Sequence, residues 1–347
     1  MKVGDNKVKF GAVVGNPPYQ LSDGGAQASA KPIYQYFVLL GIELTNKYTC
    51  FITPTRWFAG GKGLDEFRDL MLNDCTIREL HDFTTPEDVF PNTNNRGGVC
   101  YFICDIEKNE DTVRVATYKD GEVTSDVNRT LLVDDIDIFI RDSIGLGILD
   151  KVFKGNYENN FSLIVSSRKP FGIESNIIKT KYFKSEKYDV NNPVLCIGRN
   201  LCKGYIDKNL VTSNKQWIDK WKVYVPRANN IGTELNDDNL NSFVGEPKSI
   251  CTEAYMIVGA DLGLSKDQAI YISKYLTTKF VRYLHKQAKA SHDASKKTYR
   301  FIPLQDFTEN SDINWNKHVD EIDQQLFEKY ELSEEERNHI KNSIKDM

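Results

Sequence analysis

The fold of the amino-terminal part of this chain is decided by the stretch Val13-Val14-Gly15-Asn16-Pro17-Pro18-Tyr19. Residues 7–14 alternate and then turn apolar before Gly15, which predicts a buried strand. Residues 16–31 are rich in Pro, Gly, Ser and Ala, which predicts a loop. Because ligands bind at the carboxyl ends of strands in open α/β sheets, we expect Asn16 and Tyr19 to line a ligand site.

Alternation of strands and helices continues outward from this loop. A helix is predicted over residues 33–44, opened by Pro32, and another over residues 64–72 after a glycine turn at residues 60–63. That turn lacks the spacing and the Ser or Thr of a phosphate-binding loop. Strands are predicted over residues 48–53, 77–83 and 98–105, with a hairpin around Asp120-Gly121. This order indicates an α/β layer with a mostly parallel sheet and an antiparallel edge near residues 98–127.

The second part of the chain has a different character. A helical period over residues 134–153 leads to a predicted domain boundary at residue 154, and residues 155–255 then show short strands with many Asn and Lys. Further helices are predicted over residues 265–284, 315–330 and 333–344, the last with a capping box at Ser333 and Glu336. We therefore expect two domains, an α/β domain over residues 1–154 and an α+β domain over residues 155–347.

Composition narrows the class of protein. The chain has 347 residues, 40% hydrophobic and 27% charged, with a net charge of −4, which is typical of an ordered globular protein. No apolar run approaches the roughly 20 residues of a membrane helix, and no signal sequence opens the chain, so we expect no membrane partner and a cytoplasmic location. The seven cysteines form no Cys-x-x-Cys pair, and we expect no metal site.

The residue types of the loop suit one particular chemistry. Two prolines restrict the backbone, so the carbonyl groups of Asn16 and Pro17 can face a ligand as rigid acceptors. An exocyclic amine is a poor nucleophile because its lone pair is delocalised into the ring. Two acceptors on its N–H groups would localise that lone pair, and no strong base is required. Tyr19 offers a face on which a base removed from the duplex can stack.

Asn16-Pro17-Pro18-Tyr19 resembles the catalytic motif of gamma-class adenine-N6 DNA methyltransferases. The chain as a whole resembles the C-terminal part of type IIG restriction-modification enzymes, through segments at residues 51–58, 88–91, 97–102, 225–230 and 322–330. The resemblance implies a partial Rossmann-like methyltransferase sheet, followed by a target-recognition domain. It also implies that Asn16 and Pro17 bind the amino group of a flipped adenine, that Tyr19 stacks on the base, and that Phe90 is a second aromatic residue against it.

The same resemblance implies S-adenosylmethionine as cofactor, bound by a glycine-rich loop that precedes the catalytic motif. Only fifteen residues precede Asn16, and they contain no such strand, turn and helix. We therefore expect a partner to supply the cofactor-binding half and to cover the exposed edge of the sheet. Residues 255–263 run from an apolar strand into spaced glycines, but this signal is weak alone, and the resemblance assigns the stretch to the recognition region.

Double-stranded DNA is the expected partner, and its phosphates require a local basic cluster. The densest basic stretch predicts phosphate contacts at Lys279, Arg282, Lys286, Lys289, Lys296, Lys297 and Arg300. Groups suited to base edges or to phosphates stand at Arg168, Lys169, Arg227 and Asn229. A solvated basic face is the competing interpretation of such a run.

Three functions stay open at this point. The first is site-specific DNA adenine-N6 methylation in a restriction-modification system, with base flipping. The second is a non-catalytic subunit that binds DNA and completes a partner's active site. The third is methylation of RNA or of a glutamine side chain, because the motif suits any planar amine or amide. A nuclease site at Glu246 and Lys248 is not expected, because Pro247 interrupts the strand that it needs.

Overall fold

The computed structural model describes residues 9–21, 31–91, 97–133, 136–231, 238–289 and 294–347. The chain divides into two units, Met1–Ser143 and Ile144–Met347. Helix α3 (Ser143–Phe153) follows this division directly, so the second unit begins one helix before residue 155.

A six-stranded mixed sheet forms the first unit. Its strands are β1 (Phe10–Gly15), β2 (Thr45–Pro54), β3 (Ile77–Phe83), β4 (Val99–Asp105), β5 (Val113–Lys119) and β6 (Glu122–Arg129). Their spatial order is β1-β2-β4-β3-β5-β6. The pairs β1–β2 and β3–β5 are parallel, while β4 runs antiparallel to both its neighbours. The expectation of a mostly parallel sheet is therefore wrong, because the chain reverses after β3 and β4 inserts between β2 and β3. The predicted antiparallel edge is present in the β5–β6 pair.

The predicted helices and the hairpin of this unit are confirmed. Helix α1 spans Tyr34–Leu44, and α2 spans Asp65–Asp69 and continues as a π-helical turn to Asp74. Strands β5 and β6 form the hairpin that turns at Asp120-Gly121. Both helices contribute to a single buried cluster on one face of the sheet, in which Tyr34, Val38 and Phe67 pack with Phe51 and Phe102. The other predicted segment, residues 60–63, is a turn whose three glycines all have positive φ.

Strand β1 differs from its prediction in burial. Val14 is 76% exposed and Phe10 is 50% exposed, whereas a buried strand was expected. Within the described residues β1 pairs with β2 alone, so it forms an edge of the sheet. Its apolar sequence suits a strand that is covered on both sides, and the described part of the chain does not cover it. The predicted strand residues 7 and 8 lie outside the described residues.

The segment before α3 is not helical, although a helix was predicted from residue 134. Ile136, Ile138 and Phe139 are buried, and the Phe139 N–H donates to the Phe58 carbonyl at 3.0 Å. The apolar residues that suggested a helical period are therefore used to attach this segment to the first unit. Residues 134 and 135 lie outside the described residues.

The second unit combines small sheets with helices, as its α+β prediction requires. One sheet has the order β10 (Phe243–Gly245), β9 (Lys222–Pro226), β12 (Tyr255–Val258), and the other β11 (Ser249–Cys251), β7 (Pro193–Ile197), β8 (Lys203–Asp207). The helices are α4 (Lys266–Thr277), α5 (Lys279–Gln287), α6 (Val319–Lys329) and α7 (Glu334–Ser343). The predicted capping box of α7 is confirmed. The helix predicted over residues 265–284 is two helices, because Thr278 has extended backbone and caps α5 through its side chain.

Asp323 of α6 provides the pH-sensitive contact of this helical part. Its carboxylate accepts hydrogen bonds from the backbone N–H groups of Lys279 and Phe280, at 2.8 and 2.9 Å, at the start of α5. Burial raises the pKa of Asp323 to about 6, although the two backbone N–H groups act in the opposite direction. The folded chain therefore holds this proton more tightly than the unfolded chain does.

We predict that Asp323 makes the native chain less stable as the pH rises from about 4 to about 6. The sign follows from the raised pKa: below this window the carboxyl is neutral in both states, and above it the folded state must bury a charge. Asp323→Asn removes the titration, so the native chain should lose on the order of 2 kcal/mol relative to the variant across the window. Urea unfolding at several pH values measures this, and equal pH slopes for both proteins would contradict it.

Candidate active site

The predicted catalytic loop lies where β1 ends, at the carboxyl edge of the parallel pair β1–β2. Asn16 is exposed, Pro17 is buried and Tyr19 is half-buried. A Cβ atom added to Gly15 would lie 2.8 Å from the Phe51 ring, so only glycine allows the strand to end this close to the core. Within the described residues the Asn16 side chain has no hydrogen-bond partner, which leaves its amide available to a ligand.

The loop returns to α1 through a short antiparallel contact. The Ile33 N–H donates to the Tyr19 carbonyl and the Leu21 N–H donates to the Lys31 carbonyl, both at 3.2 Å. Gln20 and Pro32 form a bridge between these two bonds. The backbone of Tyr19 is therefore tied to the residues that open α1. Residues 22–30, which belong to the same predicted loop, lie outside the described residues.

The structure brings the two predicted aromatic residues together. The rings of Tyr19 and Phe90 lie 6.5 Å apart between centroids, at an angle of 70°. Tyr19 makes a similar edge-to-face contact with Tyr34, also at 6.5 Å. Tyr34 in turn contacts Phe67 of α2, so the half-buried ring of Tyr19 is supported by rings of the core.

The Tyr19 hydroxyl is buried and has no hydrogen-bond partner among the described residues. Burial raises the pKa of Tyr19 to about 12, and the neighbouring Cys100 adds to the shift. The phenol therefore stays neutral at physiological pH and does not act as a base. Its ring, rather than its hydroxyl, is the part that can serve a ligand.

The glycine segment after β12 does not form a cofactor loop. Strand β12 belongs to an antiparallel sheet, whereas a dinucleotide-type loop follows a parallel strand. The N-terminus of α4 is closed by a capping box between Ser265 and Gln268, which uses the N–H groups that would bind a ligand. Residues 255–268 therefore do not provide a glycine-rich loop that fits S-adenosylmethionine.

The basic residues of α5 have largely structural contacts. Residues 280–285 of this helix are all buried. Three basic side chains donate to carbonyl groups at the end of α7: Lys279 to Lys341 at 3.3 Å, Arg282 to Lys345 at 2.9 Å and Lys286 to Ser343 at 3.0 Å. Positive charge at the carboxyl end of a helix is stabilising. Arg282 is only 3% exposed, so its guanidinium does not reach the surface at which a phosphate would bind, contrary to its prediction as a DNA contact.

Asn229 and Lys289 belong to an internal polar cluster with His285. The Lys289 ammonium donates to the Asn229 side-chain oxygen at 2.5 Å, and the Asn229 amide lies 3.4 Å from His285 Nε2. Burial lowers the pKa of His285 to about 3, with a further contribution from Lys289. Because Asn229 is 2% exposed, its amide does not reach a base edge, contrary to its prediction as a DNA contact.

The other predicted DNA-binding residues lie nearer the surface of the second unit. Lys296 and Lys297 are exposed, and Arg300 and Arg227 are half-buried. Arg168 is exposed and pairs with Glu253 at 2.8 Å, while Lys169 pairs with Glu174 at 2.7 Å.

Two contacts near the carboxyl ends of the strands of the first unit were not predicted from the sequence. Tyr34 supports the Tyr19 ring, and Arg141 binds Asp82 at the end of β3. Asp82 carried a usable signal, because an acidic residue inside an apolar strand requires a partner when it is buried. The identity of that partner, far along the chain, had no signal in the sequence.

The described residues contain no helix with the length and apolar character needed to cross a membrane. They also contain no group of three or more His, Cys, Asp or Glu residues placed to hold a metal ion. A polar cleft bounded by Arg78, Glu79 and Asp105 lies at the opposite edge of the sheet from Asn16.

Residues 1–90 match the family model of the Eco57I restriction-modification methylases. An uncharacterised adenine-specific methylase of Mycoplasma pneumoniae is 39% identical over 99 residues, which are 28% of this chain and 24% of that protein. Residues 1–90, which match the family model, include the predicted catalytic loop, β1, α1, β2 and β3. The chain spans about a quarter of the length of this relative.

Two solved structures show more distant similarity. The type IIL restriction-modification enzyme MmeI, in complex with DNA, is 12% identical with a TM-score of 0.47, covering 83% of this chain and 45% of that chain. A nuclease-deletion mutant of the type ISP enzyme LlaGI, in complex with a DNA substrate mimic, is 12% identical with a TM-score of 0.44, covering 91% and 35%.

We predict that Tyr19→Phe does not destabilise the chain, because it removes a buried hydroxyl that has no partner among the described residues. The free energy of unfolding should stay the same or rise by up to about 1 kcal/mol. Urea unfolding of the full chain measures this. Tyr118→Phe is the matched control, because its hydroxyl bonds His81 Nδ1 at 3.0 Å and its loss should cost about 1 kcal/mol. Equal destabilisation by both substitutions would contradict the prediction.

Proposed function

We propose that this chain is the adenine-binding and DNA-recognition part of a site-specific DNA adenine-N6 methyltransferase of a restriction-modification system. One observation carries the proposal: Asn16, at the end of β1, is exposed beside the ring pair of Tyr19 and Phe90. The match of residues 1–90 to a restriction-modification methylase family supports it.

The proposed chemistry of this chain is to hold an amino group. The Asn16 side-chain oxygen and the Pro17 carbonyl would accept hydrogen bonds from the two N–H groups of a flipped adenine. This removes the lone pair of the nitrogen from conjugation and directs it away from the acceptors. Tyr19 and Phe90 would stack on the base, which offsets part of the few kcal/mol that base extrusion costs. S-adenosylmethionine would supply the electrophilic methyl group.

For DNA binding we propose the surface residues of the second unit. Lys296 and Lys297 lie on an exposed 3₁₀ turn, and Arg168 is exposed as well. Such groups contact phosphates, which gives affinity without sequence readout and makes it sensitive to salt. Lys279, Lys286 and Lys289 already bind internal carbonyl groups, so a contact with phosphate would have to share these side chains.

The cofactor would come from a partner that covers the edge at β1. Within the described residues the outer side of β1 has no strand beside it, and Val14 is 76% exposed there. The adjacent helix α1 exposes Tyr36, Phe37 and Leu40, which extends the apolar surface. A sheet with parallel strands is normally covered on both sides, so this surface suits a second α/β component. A strand added there would end about 5 Å from β1, beside Asn16.

We predict that Asn16→Ala abolishes methyl transfer in the enzyme reconstituted with its cofactor-binding partner, while DNA affinity stays within about threefold. The reason is that Asn16 acts on the amino group and not on the phosphates. Tritium transfer from S-adenosylmethionine to DNA measures the first quantity, and fluorescence anisotropy the second. Asn46→Ala, another exposed asparagine of the first unit, should leave both unchanged.

An Asn16→Ala enzyme that keeps more than a small fraction of the activity would remove Asn16 from the proposed mechanism. Running the same assay on RNA and on protein substrates separates a DNA methyltransferase from an enzyme that methylates RNA or a glutamine side chain. DNA binding without methylation by any reconstituted form would favour the non-catalytic subunit.

We predict that the isolated chain shows no heat of binding when titrated with S-adenosylmethionine, because the glycine segment after β12 is not a cofactor loop and the partner is proposed to supply the cofactor site. Val14→Lys should prevent reconstitution with the partner, since it places a charge on the apolar edge. Val123→Lys, on the edge strand β6 and 56% exposed, is the matched control and should reconstitute normally. Binding of S-adenosylmethionine by the isolated chain would contradict the proposal that a partner supplies the cofactor site.

A further inference from the structure

The loop between β3 and β4 carries Phe90, and its first half is held by the β5–β6 hairpin. The Thr84 N–H donates to the Tyr118 carbonyl at 3.0 Å where the loop leaves β3. Further along, the Gly121 N–H donates to the Asp88 carboxylate at 2.8 Å, two residues before Phe90. These contacts hold residues 84 and 88, while the two ends of the loop, at Asp82 and Gly97, are held by another group.

Arg141 bonds to residues at both ends of this loop, Asp82 and Gly97. Its Nε and Nη2 atoms donate to the two carboxylate oxygens of Asp82, at 2.7 and 2.5 Å. Its Nη1 atom donates to the Gly97 carbonyl at 2.7 Å. One guanidinium thus connects the end of β3 with the start of β4, and the plane of the group lies near the Phe58 ring. The planar fork of arginine makes this three-way contact in a way that the single ammonium of lysine cannot.

The backbone at the return is fitted closely to this contact. Gly98 has a φ of +97°, and an added Cβ atom would lie 2.3 Å from the Phe83 carbonyl oxygen and 2.9 Å from Arg141 Nη2. The Thr55 hydroxyl also donates to the Gly97 carbonyl, at 2.7 Å. The two ends of the loop therefore meet at Phe83 and Gly98. Arg141 is the charged group that bonds to both sides of this junction.

We propose that Arg141, through Asp82 and the Gly97 carbonyl, is a positioning residue for Phe90 and so for the stacking of the target base. Asp82 is fully buried, and its only salt bridge in the described residues is with Arg141, so the contact has one geometry rather than several. The role of Phe90 in stacking on a base rests on the proposed function. The effect of Arg141 on the position of the Phe90 ring does not depend on that function, and it can be measured without any reaction.

The test uses the full chain with 4-fluorophenylalanine at position 90 and ¹⁹F NMR. In the native chain the resonance should be displaced from its unfolded position by the neighbouring Tyr19 ring. In Arg141→Lys it should lose about half or more of that displacement, while circular dichroism shows a folded chain. Arg129→Lys is the matched control, because Arg129 is a second enclosed arginine that bonds the Ile140 carbonyl and not the loop. It should leave the resonance in place.

An unmoved resonance in folded Arg141→Lys, or an equal change in both variants, would overturn the proposal. Should Arg141→Lys not fold, Asp82→Asn breaks the same contact from its other side, and an unmoved resonance there would count against the proposal equally. In the reconstituted enzyme, Arg141→Lys should lower kcat roughly 10- to 100-fold with DNA affinity unchanged, as expected for lost base stacking. If no reconstituted enzyme methylates DNA, the proposed function fails, but the NMR result still decides the role of Arg141.

Discussion

The position of the candidate site depends on the packing of one ring, that of Phe51, between two glycines. Gly15 at the end of β1 and Gly41 in α1 both approach this ring so closely that an added Cβ atom would lie 2.8 and 2.5 Å from it. The helix can therefore lie directly against the two parallel strands. Because α1 opens next to the returning catalytic loop, this close packing also sets where Tyr34 supports Tyr19, and through it where the ring of Tyr19 meets Phe90.

Around this contact the first unit is asymmetric. Its helices cover one face of the sheet, while β1 and the outer side of α1 present apolar side chains to solvent. The candidate catalytic loop lies at the border between the covered and the uncovered part. In the part of the chain that the structure describes, the proposed site has acceptors and aromatic rings on one side, and on the other side a strand edge with no strand beside it. A partner that completes the sheet would complete the chemistry by the same contact.

Much of the local structure could be predicted, and the errors have identifiable causes. The spacing of apolar residues and the turn-forming residues predict α1, β2, β3 and the β5–β6 hairpin, because these signals lie within the elements themselves. The prediction that β1 is buried was wrong. Its apolar sequence is typical of a strand that is covered on both sides, but the described residues do not cover it. The break at Thr278 was not predicted, because the apolar pattern continues across it and only the capping of α5 ends the first helix there. Residues 136–142 were predicted as helical because their apolar spacing suits a helix, but their contacts with the first unit hold them in an irregular conformation.

By itself the sequence determined the motif Asn16-Pro17-Pro18-Tyr19 and its place after a strand, since these depend on residue types and order. The pairing of this motif with Phe90 is implied only by the resemblance to a family. Only the tertiary structure decided which of the basic residues bond to carbonyl groups of the chain itself. Lys279, Arg282 and Lys286 look like a phosphate-binding run in one dimension, yet they bind carbonyl groups at the end of α7. A charged side chain can satisfy a helix end or a phosphate equally well, and the choice depends on which acceptor the fold brings within reach.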